Sequence, residues 1–254
     1  MWKKLALALC LGSLTVGVAA AADDGVPPAV EKTLRAAIGN FGPNVRIDSI
    51  APSPLPGFYQ VIASGQLVYL SADGKYMMNG DLVDVAARKS LSDGAWAGFR
   101  KAQLATVPAA QRIIFAPPHP KTTLTVFTDV NCGFCRQLHE HIDDFTKAGI
   151  AVEYLAWPRE GVTTTAGRPT PTYTEMVSVW CAADRKASFT AAKEGHAPKP
   201  AQCDNPVKQQ FELGERLGVN GTPAVFTADG RQLGGYVTAE QVLDDLRKHP
   251  AAGG

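Results

Sequence analysis

Two cysteines separated by two residues, in the stretch TDVNCGFCRQLHEHIDDF at 128–145, constrain the fold of this chain more than any other feature. They follow TTLTVF at 122–127, a β-rich apolar run suited to a buried strand. They open a helical pattern whose apolar face contains Cys135, Leu138, Ile142 and Phe145. A second strand is predicted over 150–155, so the pair lies at a strand-to-helix junction within a βαβ unit of an α/β domain.

Three chemical roles are open to such a pair: metal binding, a fixed disulfide, and reversible dithiol–disulfide exchange. Structural zinc usually takes four Cys or His ligands as two close pairs, and the sequence has no second close pair of cysteines. His139 and His141 lie two residues apart on the predicted helix and so point in different directions. A disulfide that closes so short a loop stabilises a fold little. No metal site is therefore predicted, and reversible exchange is favoured.

The position of the pair supports redox chemistry. A thiol in the first turn of a helix faces free backbone N–H groups and the positive end of the helix dipole, and both favour the thiolate. The thiolate is the species that attacks a disulfide sulfur. We therefore expect Cys132 to be an exposed nucleophile and Cys135, one turn further on, to be the shielded resolving thiol.

The N-terminal residues predict export. The stretch MWKKLALALCLGSLTVGVAAAADDG has a basic start, an apolar core and small residues at 19–22, which is the layout of a signal peptide cleaved after about residue 22. A lipoprotein site at Cys10 is disfavoured because Leu9 precedes it. Removal of Lys3 and Lys4 lowers the basic count from 25 to 23 against 24 acids, a net charge of about −1. This near-neutral balance argues against nucleic acid or anionic lipid as a partner.

Four cysteines remain after the predicted cleavage, which are Cys132, Cys135, Cys181 and Cys203. An even number in an exported protein predicts disulfides. Three pairings are open, and the spacing favours Cys132 with Cys135 and Cys181 with Cys203.

The residue pattern before position 119 predicts a smaller domain and a connecting helix. A short amphipathic helix is predicted over 29–40, followed by strands at 45–50, 57–65, 66–71 and 75–85. A helix capped by Ser92 is predicted over 92–107, and the proline-rich APPHPK then stops it. The segment 93–118 is thus a predicted linker helix and hinge between two domains, 23–92 and 119–254.

A Thr-Pro pair far downstream, in GVNGTPAVF, complements the cysteine pair. Thr222-Pro223 directly precedes a predicted strand at 224–227, which a second strand at 232–236 and a helix opened by a capping box at 238–241 follow. Thioredoxin-like folds carry a cis proline at this place, beside their cysteine pair. If this bond is cis, the Thr222 backbone should face the site and pair with an extended substrate.

Together these segments resemble the periplasmic DsbC/DsbG family of protein disulfide isomerases, and are nearer to its DsbC branch. The motifs that carry the resemblance are FTDVNCGFC, LHEHIDDF, YLAWPREG, VSVWCAAD and LGVNGTPAVF. The resemblance implies an α+β cystatin-like dimerisation domain at the N-terminus, a linker helix, and an α/β thioredoxin-like catalytic domain with a helical insertion. It also implies a homodimer, with a structural disulfide between Cys181 and Cys203.

The resemblance further implies a thiol-disulfide isomerase of the periplasm that needs no cofactor. Its substrates would be misfolded exported proteins with wrong disulfides, and a membrane thiol reductase of the DsbD type would keep the pair reduced. Chaperone activity could accompany the chemistry. Cys132 and Cys135 would be catalytic, and the substrate would be bound by Gly133, Phe134, Thr222 and Pro223.

This chain differs from thioredoxin at a position that serves proton transfer. Thioredoxin has a buried carboxylate six residues before its first active cysteine, where this chain has Val126. Asp129 is closer in sequence, but we expect it to be a turn or cap residue. We expect His139 to lie on the exposed face of its helix rather than to shuttle protons. Two roles are open for Phe134, which are contact with the substrate and shaping of the turn alone.

Two other functions are compatible with the sequence. One is a dedicated oxidase or reductase with a narrow client, which the associative first domain disfavours. The other is a chaperone-like binding module whose cysteines are incidental.

Overall fold

The computed structural model describes residues 25–249 of the 254-residue chain. The predicted signal peptide at 1–22 and Cys10 lie outside the described residues. No helix between residues 25 and 249 is both long and apolar enough to cross a bilayer.

The N-terminal part is one helix packed on an antiparallel sheet of four strands in the order β1-β2-β3-β4. Helix α1 (Pro28–Gly39) buries Leu34 and Ile38, one turn apart, on that sheet, as predicted. The strands are β1 (Ile47–Pro52), β2 (Phe58–Ala63), β3 (Gln66–Ser71) and β4 (Met77–Asn79). The predicted strand at 75–85 is interrupted at Gly80. Its second half contains β5 (Val83–Asp84), which pairs with β6 (Lys89–Ser90) in a separate two-stranded ribbon.

Helix α2 (Leu91–Ala105) connects this sheet to the rest of the chain. The predicted cap is wrong by two residues: Ser90 is the N-cap, and its hydroxyl accepts the Asp93 N–H. Ser92 is instead buried, where its hydroxyl bonds the Tyr69 hydroxyl at 2.6 Å. That bond fixes the start of α2 against β3.

The second part is built on a five-stranded sheet in the order β11-β10-β8-β9-β7. Its strands are β7 (Ile113–Phe115), β8 (Thr122–Thr128), β9 (Ile150–Ala156), β10 (Ala224–Thr227) and β11 (Gln232–Gly234). The central strands β8 and β9 are parallel, as the βαβ pattern predicts, and the other pairs are antiparallel.

Strand β7 was not predicted. It lies inside the predicted linker and hinge at 93–118, after a short 3₁₀ helix (Ala109–Gln111), and pairs with β9. Three apolar residues next to a proline-rich stretch are too few to show a period of two. The second sheet therefore begins before residue 119.

Within the described part of the chain, six helices cover this sheet. They are α3 (Gly133–Glu140), α4 (Ile142–Lys147), α5 (Pro171–Trp180), α6 (Arg185–Lys193), α7 (Val207–Arg216) and α8 (Ala239–Lys248). The predicted single helix after the cysteine pair is broken at His141, whose φ and ψ are −97° and 19°. The capping box of α8 is confirmed, because Thr238 and Gln241 bond each other's backbone. Helices α5 and α6 form the helical insertion between β9 and β10.

Candidate active site

The two cysteines lie where the central strand passes into a helix. Strand β8 ends at Thr128, residues 129–131 turn, and α3 begins at Gly133 with Cys132 as its N-cap residue. The Asp129 carboxylate holds this turn, because it accepts the Asn131 N–H at 2.7 Å and the Arg159 N–H at 2.8 Å. Because Cys132 is the N-cap residue of α3, the free N–H groups of the first turn of this helix lie next to it.

Cys132 is less exposed than predicted. Only 3% of its surface is accessible, so the expectation of an exposed nucleophile is wrong. Its sulfur lies 3.1 Å from the Thr222 carbonyl oxygen, 90 residues away in sequence. Its neighbours Gly133 and Phe134 are both exposed.

The surroundings of Cys132 stabilise a thiolate. The hydrogen bond from the Cys135 side chain is the largest influence, and bonds from the Thr222 side chain and the Cys135 backbone and the charge of Arg159 add to it. Together they lower the pKa of Cys132 to about 5, although burial opposes them. The Thr222 hydroxyl is buried and has no other partner. In the thiol form, the Cys132 S–H donates to the Thr222 carbonyl. Once that proton has left, the Thr222 hydroxyl can donate to the thiolate sulfur instead.

Cys135 has the opposite character. It is 1% exposed, and burial together with its hydrogen bond to Cys132 raises the pKa of its thiol far above the usual range. The pair thus combines one sulfur that ionises readily with one that keeps its proton, which is the division of roles that thiol–disulfide exchange requires.

The Thr222–Pro223 peptide bond is cis, as expected from the sequence. Pro223 is buried directly before β10, whose first residue Ala224 pairs with Phe127 on β8. This register carries Thr222 to the end of β8, next to the cysteine pair. Of the residues predicted to bind substrate, Gly133, Phe134 and Thr222 thus lie around the Cys132 sulfur.

The other two cysteines are joined to each other. Cys181, at the end of α5, forms a disulfide with Cys203 across 22 residues, and their Cα atoms are 5.6 Å apart. This bridge ties the insertion together away from the free pair Cys132 and Cys135.

Two polar residues near the pair are more buried than expected. Asp129 is 1% exposed, and it serves both as the expected turn residue and as an ion-pair partner of Arg159 at 3.3 Å. His139 does not lie on an exposed face, since it is 4% exposed and its ring nitrogens bond the Tyr154 and Thr190 hydroxyls. Burial and the charge of Lys193 lower the pKa of His139 to about 4, so the ring is neutral at pH 7.

Sequence reasoning missed Lys193, on α6 of the insertion. This lysine is 4% exposed, and its Nζ donates to the Thr128 hydroxyl and the Asp129 carbonyl beside the pair. The signal was available: Phe189, Ala192 and Lys193 occupy positions i, i+3 and i+4, so the lysine shares the buried face of its helix.

Between residues 25 and 249, no three His, Cys, Asp or Glu side chains are grouped so that they could hold a metal ion.

Both parts of the chain match known protein families. Residues 18–93 match the family described as disulfide bond isomerase protein N-terminal domain, and residues 110–250 match the thioredoxin-like domain family.

Whole-chain relatives carry one shared name. The chain is 32% identical to the thiol:disulfide interchange protein DsbC of Dickeya dadantii, over 98% of both chains. It is 31% identical to the protein of that name in Escherichia coli K12, over 90% of this chain and 92% of the other. A solved disulfide interchange protein from Neisseria gonorrhoeae is 28% identical and has a TM-score of 0.47, covering 56% of this chain and 97% of its own.

The two family matches, in this order, agree with the fold that the structure shows. With its N-terminal dimerisation domain and its thioredoxin-like domain, the chain belongs to the DsbC family of thiol:disulfide interchange proteins and is a thiol-disulfide oxidoreductase.

Proposed function

We propose that this protein is a periplasmic disulfide isomerase that rearranges or reduces wrong disulfides in exported proteins through its Cys-Gly-Phe-Cys pair at 132–135. The observation that carries the proposal is the contrast between the two sulfurs. Cys132 has a pKa of about 5, and Cys135 is buried with a raised pKa. The predicted signal peptide and the relatives named DsbC support export and the choice of isomerase.

The first chemical step uses Cys132 alone. Its thiolate attacks one sulfur of a substrate disulfide, a new S–S bond joins enzyme and substrate, and the second substrate sulfur leaves as a thiolate that takes a proton from solvent. No net oxidation has occurred, because one disulfide has replaced another. The sulfurs carry the electrons, so the reaction requires no cofactor.

The mixed disulfide then has two fates. In isomerisation another substrate thiolate attacks it, which forms a different substrate disulfide and returns Cys132 as thiolate. In reduction Cys135 attacks Cys132, so the enzyme pair is oxidised to a disulfide and the substrate takes both electrons. A membrane thiol reductase of the DsbD type would then return the pair to its dithiol form.

Substrate would bind around the exposed edge of the site. Phe134 is 63% exposed between the two cysteines and offers an apolar contact to an unfolded segment. The backbone of Thr222, before the cis Pro223, offers hydrogen bonds to an extended chain in the manner of strand addition. Gly133 leaves room for that chain to approach the sulfur of Cys132. The Cys181–Cys203 disulfide has a structural role in this proposal.

We propose further that the N-terminal domain forms a homodimer through the edge of its sheet. Strand β4 is an edge strand, and an unpaired edge is a template for pairing with a second copy. Large apolar side chains are exposed along β4 and the ribbon that follows it, namely Tyr76, Met77, Met78, Val83 and Val85. Such a concentration marks an interaction surface. Two facing copies would enclose a cleft able to hold a misfolded chain, which would allow chaperone activity.

Charges on this edge should prevent dimer formation. Replacing Met77 and Met78 with lysine places two like charges where the copies would meet, so we expect a monomer by light scattering at micromolar concentration. The matched control is Phe41→Lys, at a residue that is 63% exposed outside this edge, and it should remain dimeric. Alkylation of Cys132 should be unchanged in both variants. A charged edge that leaves the dimer intact would show that the copies meet elsewhere.

Scrambled ribonuclease provides the test of isomerase function. The mature, reduced protein should restore ribonuclease activity at pH 7 without any added oxidant, because each exchange conserves the number of disulfides. A dedicated oxidase or reductase with a narrow client, the alternative function, would leave the scrambled enzyme inactive. The redox state of Cys132 and Cys135 in cells gives a second criterion, since an isomerase is kept reduced and an oxidase is found oxidised.

A further inference from the structure

Lys193 is buried beside the resolving cysteine without a carboxylate partner. Its side chain is 4% exposed, and its Nζ donates to the Thr128 hydroxyl at 2.6 Å and to the Asp129 backbone carbonyl at 2.8 Å. Lysine is almost never fully buried unless it is paired, because its charge is costly to remove from water. No ion pair within 4.0 Å joins Lys193 to a carboxylate among residues 25–249. Because burying this charge is costly, its position indicates a role in the chemistry of the site.

Every titratable or charged group that faces Lys193 belongs to the active site or its wall. The Asp129 carboxylate is already bound by Arg159 and by two backbone N–H groups. The others are Cys132, Cys135, Arg136 and His139. Burial lowers the pKa of Lys193 to about 8, while Cys135 is the foremost of the anionic influences that raise it. The cysteine thiolates are therefore the titrating anions that the ammonium can pair with.

Thr128 links the lysine to the resolving thiol. Its hydroxyl accepts a hydrogen bond from Lys193 Nζ, and Thr128 together with the Asp129 backbone acts by hydrogen bonding to lower the pKa of Cys135 against the larger effect of burial. Thr128 is fully buried, so its hydroxyl is shielded from bulk solvent. The Thr128 hydroxyl thus lies between the amine of Lys193 and the resolving thiol. Val126 occupies the position of the thioredoxin carboxylate, so that group cannot take the proton of Cys135.

We propose that Lys193 takes up the proton of Cys135, through the Thr128 hydroxyl, when Cys135 attacks the mixed disulfide, and returns it in the reverse step. This inference rests on the proposed exchange function. In the step, the Cys135 S–H bond breaks and its proton reaches the amine by way of Thr128. The Cys135 thiolate attacks Cys132 and forms the Cys132–Cys135 disulfide. The bond from Cys132 to the substrate breaks, and the substrate thiolate takes a proton from solvent.

Formation of the mixed disulfide prepares the lysine for this role. In the resting enzyme the Cys132 thiolate helps to keep Lys193 protonated, because its charge raises the pKa of the lysine. That charge disappears once Cys132 is bonded to substrate, so the pKa of Lys193 falls and the neutral amine becomes more populated. The base therefore forms at the stage when Cys135 must lose its proton. Lys193 acts through Thr128 and is a positioning residue in this scheme.

The test separates the two chemical steps. Lys193→Met removes the amine and keeps an unbranched apolar side chain, and it should fold because it removes a buried charge. A labelled peptide is first trapped on Cys132 as the mixed disulfide, and its release by Cys135 is then timed in single turnovers from pH 5 to 10. At pH 7 release should slow by about a hundredfold, the low end of the range for loss of a general acid–base group, and its pH midpoint should rise. Alkylation of Cys132 should stay within about twofold of the wild type, because general acid–base help is not used there.

Matched variants complete the test. Thr128→Val breaks the path and should slow release like Lys193→Met, whereas Thr128→Ser keeps the hydroxyl and should restore it. Lys186→Met removes an exposed lysine from the same helix and should change nothing. Release at the wild-type rate with the wild-type pH midpoint, in Lys193→Met or in Thr128→Val, would overturn the proposal. If the wild-type protein forms no mixed disulfide at all, the exchange function itself fails, and this result is distinct from a selective loss of release.

Discussion

Replacing Cys132 with alanine should abolish disulfide exchange, leaving the reactivation of scrambled ribonuclease at the rate seen without protein. Cys135 cannot take over as the attacking group, because it is 1% exposed and its pKa is raised. The matched variant Cys135→Ala should keep the first step and accumulate mixed disulfide, which mass spectrometry of the intact protein detects. It should still isomerise when substrate thiols resolve the intermediate. Exchange that survives the loss of Cys132 would refute its assignment as nucleophile.

The pH dependence of the reactivity of Cys132 provides a quantitative test of its assignment as nucleophile. The rate of alkylation by iodoacetamide should rise with a midpoint near pH 5, the pKa that the surroundings impose on this thiol. At pH 7 nearly all of Cys132 is then thiolate, against only about 3% of an ordinary cysteine with a pKa near 8.5. A midpoint above pH 8 would show that the Cys135 and Thr222 hydrogen bonds do not stabilise the thiolate.

Protein stability should follow the same titration. The folded-state pKa of Cys132, about 5, is depressed below the value of about 8.5 for an ordinary cysteine in an unfolded chain. Ionisation therefore contributes stability that is fully present above pH 9 and is lost as the pH falls through about 5. The reduced wild type should accordingly gain free energy of unfolding relative to Cys132→Ala between pH 5 and 9, which urea unfolding at several pH values measures.

Local patterns in the sequence predicted the frame of this site. The strand before Cys132 and the helix after it follow from short motifs whose physical meaning does not depend on the rest of the chain. The same holds for the capping box at Thr238, where two neighbouring side chains satisfy the first turn of α8. The cis bond at Thr222–Pro223 was expected from the likeness to thioredoxin-like folds, given the cysteine pair upstream.

Burial at the site was not predictable in the same way, because it depends on segments far apart in sequence. Cys132 is covered by Thr222, which only the closing of β10 against β8 brings into contact. His139 was placed on a solvated face, yet it is i+4 from Cys135 and α6 of the insertion covers it. The packing of that insertion on α3 could not be read from its own periodicity. The spacing of Phe189, Ala192 and Lys193 puts the lysine on the buried face of α6, but it does not show which part of the protein that face packs against.

The second large effect concerns Gly214, in the last turn of α7. Replacing a helical glycine with alanine usually stabilises a protein, by up to about 1 kcal/mol, because alanine loses less backbone entropy on folding. At Gly214 we expect the opposite sign. A Cβ there would lie 2.7 Å from Trp157 Nε1 and 3.1 Å from Phe127 Cε1, closer than well-packed atoms approach. Helix α7 must therefore move away from β8 and β9, or Trp157 must change rotamer.

Neither adjustment is easy. Phe127 is fully buried and packs edge-on against Phe226, and Trp157 is stacked on Phe211 with a ring separation of 5.4 Å. Overpacking of this kind costs about 1–3 kcal/mol, so Gly214→Ala should lower the free energy of unfolding by that amount in urea. Gly98→Ala on α2, where a Cβ meets nothing within 4 Å, is the matched control and should be neutral or stabilising. Because Phe127 lies on the strand that leads to Cys132, a shift of α7 would also reach the site, and Gly214→Ala should slow exchange whereas Gly98→Ala should not. A stabilised Gly214→Ala protein would show that α7 does not pack on Trp157 as closely as described.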